Sequence, residues 1–308
     1  MTDIILDCDP GHDDAIALLL ALASPEVNVL GVTTVAGNQT LDKTTANAIR
    51  VLDHVGRSDV PVAAGAARPL VRELRVAAEV HGETGLDGPD LPPPSRAPGG
   101  AHAIDWIADS VASNPGPVTL VATGPLTNVA LFVARYPEIA VRLERIVLMG
   151  GAFGEGNTTP AAEFNIWVDP EAASRVFQTG LDLTMVGLDV THRALMRPEH
   201  AQRLSEGGKA ARLVADLFAF YTRFHQRDYG WESAPVHDAL ALAHAVDGTL
   251  LTTIHCGVVV DTGPELSRGR THADLRGRAG WTANCHVAVA VDSDRFLDLL
   301  ISRLEALG

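Results

Sequence analysis

The sequence predicts a single α/β domain built on an open, mostly parallel β-sheet with helices on both faces. Short β-branched runs alternate with segments of helical periodicity along nearly the whole 308 residues, an order that is typical of parallel sheets. Two of these runs, "VTLVA" and "RIVLMG", are almost entirely apolar, as expected for strands that are buried on both faces.

The predicted strands are short runs rich in Val, Ile and Leu. In chain order they are residues 4–6, 29–35, 62–64, 118–122, 146–149, 183–188, 254–260 and 287–291. The run at 62–64 is a short extended piece, and the longer runs have the apolar character of buried strands.

Segments of helical periodicity separate the strands, as crossovers between parallel strands require. In chain order they are residues 13–23, 41–55, 102–113, 126–135, 170–178, 209–227, 239–246 and 294–306. Residues 88–100 are rich in Pro and Gly, but helical periodicity resumes directly after them, so we interpret them as a surface excursion. One domain covering residues 1–308 is the prediction.

The composition indicates a globular protein whose partner is small. The formal net charge is -14 and 46% of the residues are hydrophobic. An acidic chain repels phosphate groups, which argues against nucleic acid or membrane partners and favours a small neutral substrate or a cation. The three cysteines do not have metal-binding spacing, and no targeting or membrane-spanning segment is visible in the sequence. We therefore predict a cytoplasmic protein with reduced thiols.

The stretch "DCDPGHDD" contains four aspartates, Asp7, Asp9, Asp13 and Asp14, between a predicted strand and a predicted helix. Ligands of open α/β sheets bind at this end of the strands. The helix dipole explains acidic residues in the first helical turn, but it does not explain Asp7 and Asp9. A hard cation explains the crowding, and ligands that are all oxygen favour calcium or magnesium over zinc or copper.

Polar residues also follow the other predicted strands, at the same edge of the sheet. Asn38 follows the second strand, Thr123 follows "VTLVA", and a glycine-rich loop covers residues 150–165. His237 and Asp238 begin an apolar helix. Asp238 could be an ordinary helix N-cap and His237 a structural residue, and both alternatives stay open. Because the two residues are adjacent, we favour a functional site that includes both.

An ordered set of segments runs through the chain: "DCDPGHDDAIALLLA", "GVTTVAGNQTLDKTTANA", "VHGETGLDGP", "ATGPLTNVAL", "IVLMGGAFGEGN", "AEFNIWVDPEAA" and "APVHDALALA". This set resembles the nucleoside hydrolases, a family of calcium-dependent enzymes that cleave the N-glycosidic bond of ribonucleosides. The resemblance spans nearly the whole chain and looks closest to the bacterial pyrimidine-specific ribonucleoside hydrolases. It implies the Rossmann-like fold of that family, a homo-oligomer (tetramer or dimer) and a role in nucleoside salvage.

The resemblance also implies roles for individual residues. The expected Ca²⁺ ligands are Asp9, Asp14 and Asp238 through their side chains and Thr123 through its carbonyl. The residues expected to hold the ribose hydroxyls are Asp13, Asn38, Asn157, Glu163 and Asn165, with Met149 lining the ribose pocket. The residues expected to face the base are His81, Phe164 and His237.

The chemistry of the bond accounts for these residue types. Departure of the base leaves an oxocarbenium-like ribosyl cation, which nearby carboxylates stabilise. Asp9 is expected to be the general base toward a metal-activated water. His237 either protonates the leaving base or orients it, and Tyr229 and His225, on an aromatic segment before it, are candidates for a proton relay and a lid.

Three residues of the first motif have no role in this scheme. Asp7 is expected to brace the turn or to lie behind the metal ligands, and His12 is expected to shape the turn. Cys8 lies between two aspartates on a strand, so its side chain should point away from them into the core.

Other functions remain possible from the sequence. A broader inosine-uridine or purine specificity is the nearest alternative. A magnesium-dependent phosphatase of the D-x-D type would need a basic residue near its phosphate, and none occurs between Asp3 and Asn38. The third alternative is a nucleoside-binding protein without catalytic activity. The complete set of candidate site residues argues against this alternative.

Overall fold

The computed structural model describes residues 1–263 and 266–307. Its strands are β1 (Thr2–Cys8), β2 (Val27–Thr34), β3 (Val62–Ala64), β4 (Val118–Ala122), β5 (Leu143–Met149), β6 (Leu183–Val186), β7 (Leu195–Met196), β8 (Ala234–Pro235), β9 (Leu251–Cys256), β10 (Val258–Val260), β11 (Thr271–Ala273) and β12 (Cys285–Val291).

Eight of these strands form one sheet, in the order β3-β2-β1-β4-β5-β6-β12-β9. All neighbours are parallel except β9, which runs antiparallel to β12 at the edge. The pairs β7–β8 and β10–β11 are small antiparallel additions. The predicted mostly parallel sheet is therefore confirmed.

Helices connect the parallel strands, as the alternation in the sequence predicts. They are α1 (His12–Ala23), α2 (Leu41–His54), α3 (Ala78–His81), α4 (Ala103–Ser113), α5 (Thr127–Arg135), α6 (Pro137–Ala140), α7 (Phe164–Val168), α8 (Pro170–Phe177), α9 (Leu188–Thr191), α10 (Pro198–Ser205), α11 (Lys209–Tyr229), α12 (His237–Val246) and α13 (Ser293–Ala306). In the part of the chain that the structure describes, none of these helices has the length and apolar content needed to cross a membrane.

The sheet has an apolar core on each face. Ile4, Leu6 and Cys8 of β1 belong to the core covered by α1, α2, α11, α12 and α13. Ile5 points the other way, into the core covered by α4, α5 and α8. This alternation confirms that Cys8 is a buried core residue, and Cys8, Cys256 and Cys285 are all free thiols.

The strands predicted at 254–260 and 183–188 are divided or shortened in the structure. The strand at 254–260 divides at Gly257 between the main sheet and the β10–β11 pair, where a Cβ on Gly257 would lie 2.5 Å from Trp281 Cβ. The strand at 183–188 ends at Val186, because Leu188 N–H donates to Gly151 O at 2.9 Å and begins α9. Close backbone contacts between distant segments decide both limits, and local sequence does not encode such contacts.

The segment at residues 88–100 runs over the surface without helix or strand, as predicted. The Arg50 guanidinium of α2 fastens it by donating to the carbonyl oxygens of Leu91 at 2.5 Å and Pro92 at 3.0 Å. It is a surface excursion and not a break in the sheet.

Candidate active site

A cavity of about 470 Å³ opens at the carboxyl ends of the central strands, where the sequence predicts a site. Most of the predicted site residues line it: Asp13, Asn38, His81, Thr123, Met149, Asn157, Glu163, Phe164, Asn165, Tyr229, His237 and Asp238. The remaining two, Asp9 and Asp14, are fully buried and hydrogen-bond to Asn38 of the lining. The structure thus brings together residues that are up to 229 positions apart in the chain.

Three carboxylates cluster at the floor of this cavity, where Asp13 and Asp238 line it and Asp14 is fully buried. Asp13, Asp14 and Asp238 each offer an oxygen, and these oxygens lie within 4.8 Å of one another. All three side chains are buried, and burial raises the pKa of each carboxyl above its ordinary value, with repulsion from the neighbouring carboxylates raising it further in Asp13 and Asp238. A divalent cation would balance this concentration of negative charge.

Asp14 is held in place by donors from three directions. Its Oδ1 accepts from the Thr123 hydroxyl at 2.9 Å, and its Oδ2 accepts from Gly11 N–H at 3.1 Å and Asn38 Nδ2 at 3.0 Å. These hydrogen bonds favour the ionised carboxylate and fix its orientation toward Asp238. Asp14 is therefore both a member of the cluster and the residue most firmly oriented within it.

Asp9 lies beside this cluster and is not one of its three members. Its Oδ2 accepts from Asn38 N–H at 2.6 Å, while its Oδ1 is buried without a hydrogen-bond partner among the described residues. Gly37 and Gly124 close around this carboxylate, and a Cβ on Gly124 would lie 2.7 Å from Oδ1. An unpaired buried oxygen in a cradle that excludes larger residues suits a cation or a reacting water.

Asp7 braces the scaffold behind the site. Its Oδ1 accepts from the Thr33 hydroxyl at 2.5 Å and from Asn128 Nδ2 at 2.8 Å, which ties β1 to β2 and to α5. Burial raises the pKa of Asp7 to about 6. Asp7 does not line the cavity. Of the two roles that the sequence leaves open for Asp7, bracing is the one these contacts support.

The side wall of the cavity is shaped by the glycine-rich loop and α7. Glu163 caps α7, accepting from Asn165 N–H at 2.8 Å, Ile166 N–H at 3.1 Å and Gly151 N–H at 2.9 Å. Asn165 Nδ2 donates to the Thr123 carbonyl at 2.7 Å. Two residues predicted to hold ribose hydroxyls are therefore already oriented by the backbone around them.

His237 lies at the far end of the cavity, where it begins α12. Its Nδ1 lies 2.7 Å from the Thr191 hydroxyl, which leaves Nε2 as the ring nitrogen available to a ligand. Burial, reinforced by His192 and His225, lowers the pKa of His237 well below its ordinary value. A neutral imidazole orients a base more readily than it protonates one. The lowered pKa therefore favours an orienting role for His237 over protonation of the leaving base.

Aromatic and imidazole rings of α11, among them His225 and Tyr229, line the outer end. Tyr229 packs on Trp231 with ring centroids 4.8 Å apart and on His225 at 5.9 Å, and it is 38% exposed at the rim. His192 contacts both Tyr229 and His237 through its ring. This group of rings offers stacking surfaces for a planar ligand.

Several contributors to the site are not evident from the sequence. Thr191 and His192 come from α9 and the residue after it, next to a segment that the sequence predicts to be a strand. Gly37 and Gly124 lie in the motifs that follow two strands, and their place in these motifs is the only sign of a role. No local pattern indicates Thr191, because its contact with His237 depends on the fold.

Known proteins match this chain over nearly its whole length. The family described as "Inosine-uridine preferring nucleoside hydrolase" matches residues 4–298. A relative named pyrimidine-specific ribonucleoside hydrolase RihA, from Shewanella sp. (strain MR-7), is 51% identical over 303 residues, which cover 98% of this chain and 95% of the relative.

Solved structures show the same relationship. A plant nucleoside hydrolase superposes with a TM-score of 0.93 at 36% identity, and the match covers 99% of each chain. A purine-preferring ribonucleoside hydrolase from Gardnerella vaginalis gives a TM-score of 0.93 at 35% identity, again over 99% of each chain. On the strength of its sequence and its fold, this chain belongs to the inosine-uridine preferring nucleoside hydrolase family.

Proposed function

We propose that this protein hydrolyses the N-glycosidic bond of pyrimidine ribonucleosides, chiefly uridine and cytidine, in a calcium-dependent reaction. The observation that carries this proposal is one cavity with a floor of buried carboxylates and an outer end of aromatic and imidazole rings. The floor suits a cation and a ribose, and the rings suit a planar base. The pyrimidine-specific name of the 51% identical relative supports the choice of base.

The residues that would hold the cation are Asp9, Asp14, Asp238 and the Thr123 carbonyl. All their donor atoms are oxygens, which suits calcium, and the unpaired Asp9 Oδ1 is a buried atom that a cation would satisfy. When bound, the cation would lower the pKa of a water molecule and would attract two ribose hydroxyls. The buried Asp13 carboxylate, adjoining Asp14 and Asp238, is placed to accept a hydrogen bond from one of those hydroxyls.

The protein's own residues carry the rest of the chemistry. Asp9, beside the cation, would take the proton of the attacking water, and Asn38 N–H holds its carboxylate in place through Oδ2. The neighbouring carboxylates would stabilise the positive charge that develops on the ribose as the base departs. Neutral His237 and His81, whose pKa burial also lowers, would orient the base.

A substrate panel tests the proposed function. We expect kcat/KM for uridine and cytidine to exceed that for inosine and adenosine by about 10-fold or more, a modest difference in transition-state binding. The measurement is release of ribose from each nucleoside, with the free base identified in the products. Equal values for all four would leave nucleoside hydrolysis intact and reject the pyrimidine preference, while no ribose from any of them would reject both.

Replacement of the proposed general base tests the mechanism. Asp9→Asn keeps the shape of the side chain and an acceptor for Asn38 N–H, but its amide cannot take a proton from water. We expect kcat for uridine to fall by about 10²- to 10³-fold, a typical loss for a general base.

Asp7→Asn is the matched control for this substitution, because Asp7 is an equally buried aspartate of the same motif that does not line the cavity. Its Asn128 and Thr33 partners keep an acceptor in the variant, so kcat should stay within about threefold of wild type. Equal losses in the two variants would contradict the role of Asp9.

A further inference from the structure

His12 begins α1 immediately before the aspartates of the cavity floor, yet it does not line the cavity. It contacts His81, which does. His12 Nδ1 lies 3.1 Å from His81 Nδ1, and His12 backbone N–H donates to the same nitrogen at 3.2 Å. Both groups of His12 thus converge on one atom of His81, whose position in the sequence is 69 residues away.

A backbone carbonyl fixes how His12 is protonated. His12 Nε2 lies 2.8 Å from Asp87 O, and a carbonyl oxygen can only accept, so Nε2 carries the proton. Neutral His12 therefore presents Nδ1 as an acceptor. Asp87 O is itself placed by a tight loop, because the Asp87 carboxylate accepts from Glu83 N–H at 3.0 Å and Thr84 N–H at 3.1 Å.

His81 Nδ1 consequently meets an acceptor and a donor from the same residue, the His12 ring nitrogen and the His12 backbone N–H. His81 finds a partner in either tautomer, and in both cases Nε2 is the nitrogen left for the cavity. We propose that His12 is a positioning residue, which holds the His81 ring against the base with Nε2 toward the substrate; this inference rests on the proposed function.

The packing around the two rings supports this role. The His12 ring stacks on Phe220 at 5.1 Å and 4°, and on Tyr221 at 5.6 Å and 8°. A Cβ on Gly11 would lie 2.6 Å from His81 Nδ1. Since the φ of Gly11 is -101°, which any residue adopts, the reason for glycine here is the close approach of His81.

Two substitutions separate positioning from folding. His12→Phe keeps a stacked ring and the backbone N–H but removes the Nδ1 acceptor and the link to Asp87. We expect kcat for uridine to fall by about 10- to 100-fold, with a smaller change in KM. His12→Asn returns an acceptor oxygen near the position of Nδ1 and should recover most of the loss.

A double-mutant cycle tests whether His12 acts through His81. In the His81→Ala background, His12→Phe should cause no further loss of kcat, because the ring that His12 holds is absent. Losses that multiply would overturn the proposal. His244→Phe is the control for replacing a buried histidine, since His244 lies in α12 outside the cavity, and its Nδ1 has no partner among the described residues.

A readout that does not depend on turnover completes the test. In ¹⁵N spectra of histidine-labelled protein, His81 of the His12→Phe variant should be found only as the Nε2–H tautomer, because only the donor remains at Nδ1. Persistence of an Nδ1–H tautomer of His81 in this variant would overturn the proposal. If the wild-type protein cleaves no nucleoside, the proposed function fails, while these spectra still show whether His12 controls His81.

Discussion

Prolonged treatment with a chelator is expected to abolish hydrolysis of uridine and to lower the melting temperature of the protein. The oxygens of Asp13, Asp14 and Asp238 lie within 4.8 Å of one another, and a cation would balance their charge. A ligand at 100 times its Kd stabilises a fold by about 2.7 kcal/mol, which corresponds to about 4 °C in a chain of this size. Thermal unfolding and uridine turnover, measured on the same metal-free sample, check both effects.

Addition of calcium should restore both properties, and Asp238→Asn provides the matched comparison. The amide at position 238 removes one of the clustered charges, so chelation should lower the melting temperature of this variant less than that of wild type. Undiminished activity in protein shown to be metal-free would refute the cation site. Restoration by magnesium but not by calcium would retain the site and reject its assignment to calcium.

The pH dependence of the metal-free protein provides a further check on the same prediction. Burial raises the folded-state pKa of Asp13, Asp14 and Asp238 above that of the unfolded chain, so above the ordinary aspartate value of 3.8 the folded protein retains more protons than the unfolded chain does. Its stability should therefore fall from pH 5 toward pH 8 without metal. With calcium bound, this loss should be much smaller.

The pattern of apolar residues in the sequence predicts the central sheet well, because each buried parallel strand is visible as a local run of apolar residues. "VTLVA" of β4 coincides with the strand in the structure. The pattern does not predict the pairs β7–β8 and β10–β11, because strands of two or three residues depend on partners brought together by the rest of the fold. The division of one predicted strand at Gly257 has the same origin.

The candidate site shows a similar contrast. The aspartates of "DCDPGHDD" are local in sequence, so their crowding by itself indicates a cation. Their partners are distant: Asn128 reaches Asp7 across 121 positions, and Thr191 reaches His237 across 46. Residue types therefore predict the chemistry, whereas the orientation of each side chain depends on long-range hydrogen bonds.

Uridine is expected to exceed 2′-deoxyuridine in kcat/KM by about 10⁴-fold. A site built to hydrogen-bond a hydroxyl rejects an analogue that lacks it by about this factor, because buried polar groups then lose their partner. Asp13 and Asn165 are 6% and 5% exposed, so neither side chain has ready access to bulk water. With 2′-deoxyuridine, the cation would also lack the 2′-hydroxyl as a ligand.

The Asp13→Asn variant shows whether this discrimination comes from the cavity floor. Asparagine cannot accept the same charge-assisted hydrogen bond, so uridine should lose much of its advantage while 2′-deoxyuridine loses little. The ratio of the two kcat/KM values should then fall well below its value in wild type. Comparable turnover of both nucleosides by wild type would contradict the ribose assignment, and an unchanged ratio in the variant would assign the discrimination to residues other than Asp13. Because each ratio compares two substrates on one protein sample, a partly unfolded variant cannot imitate the result.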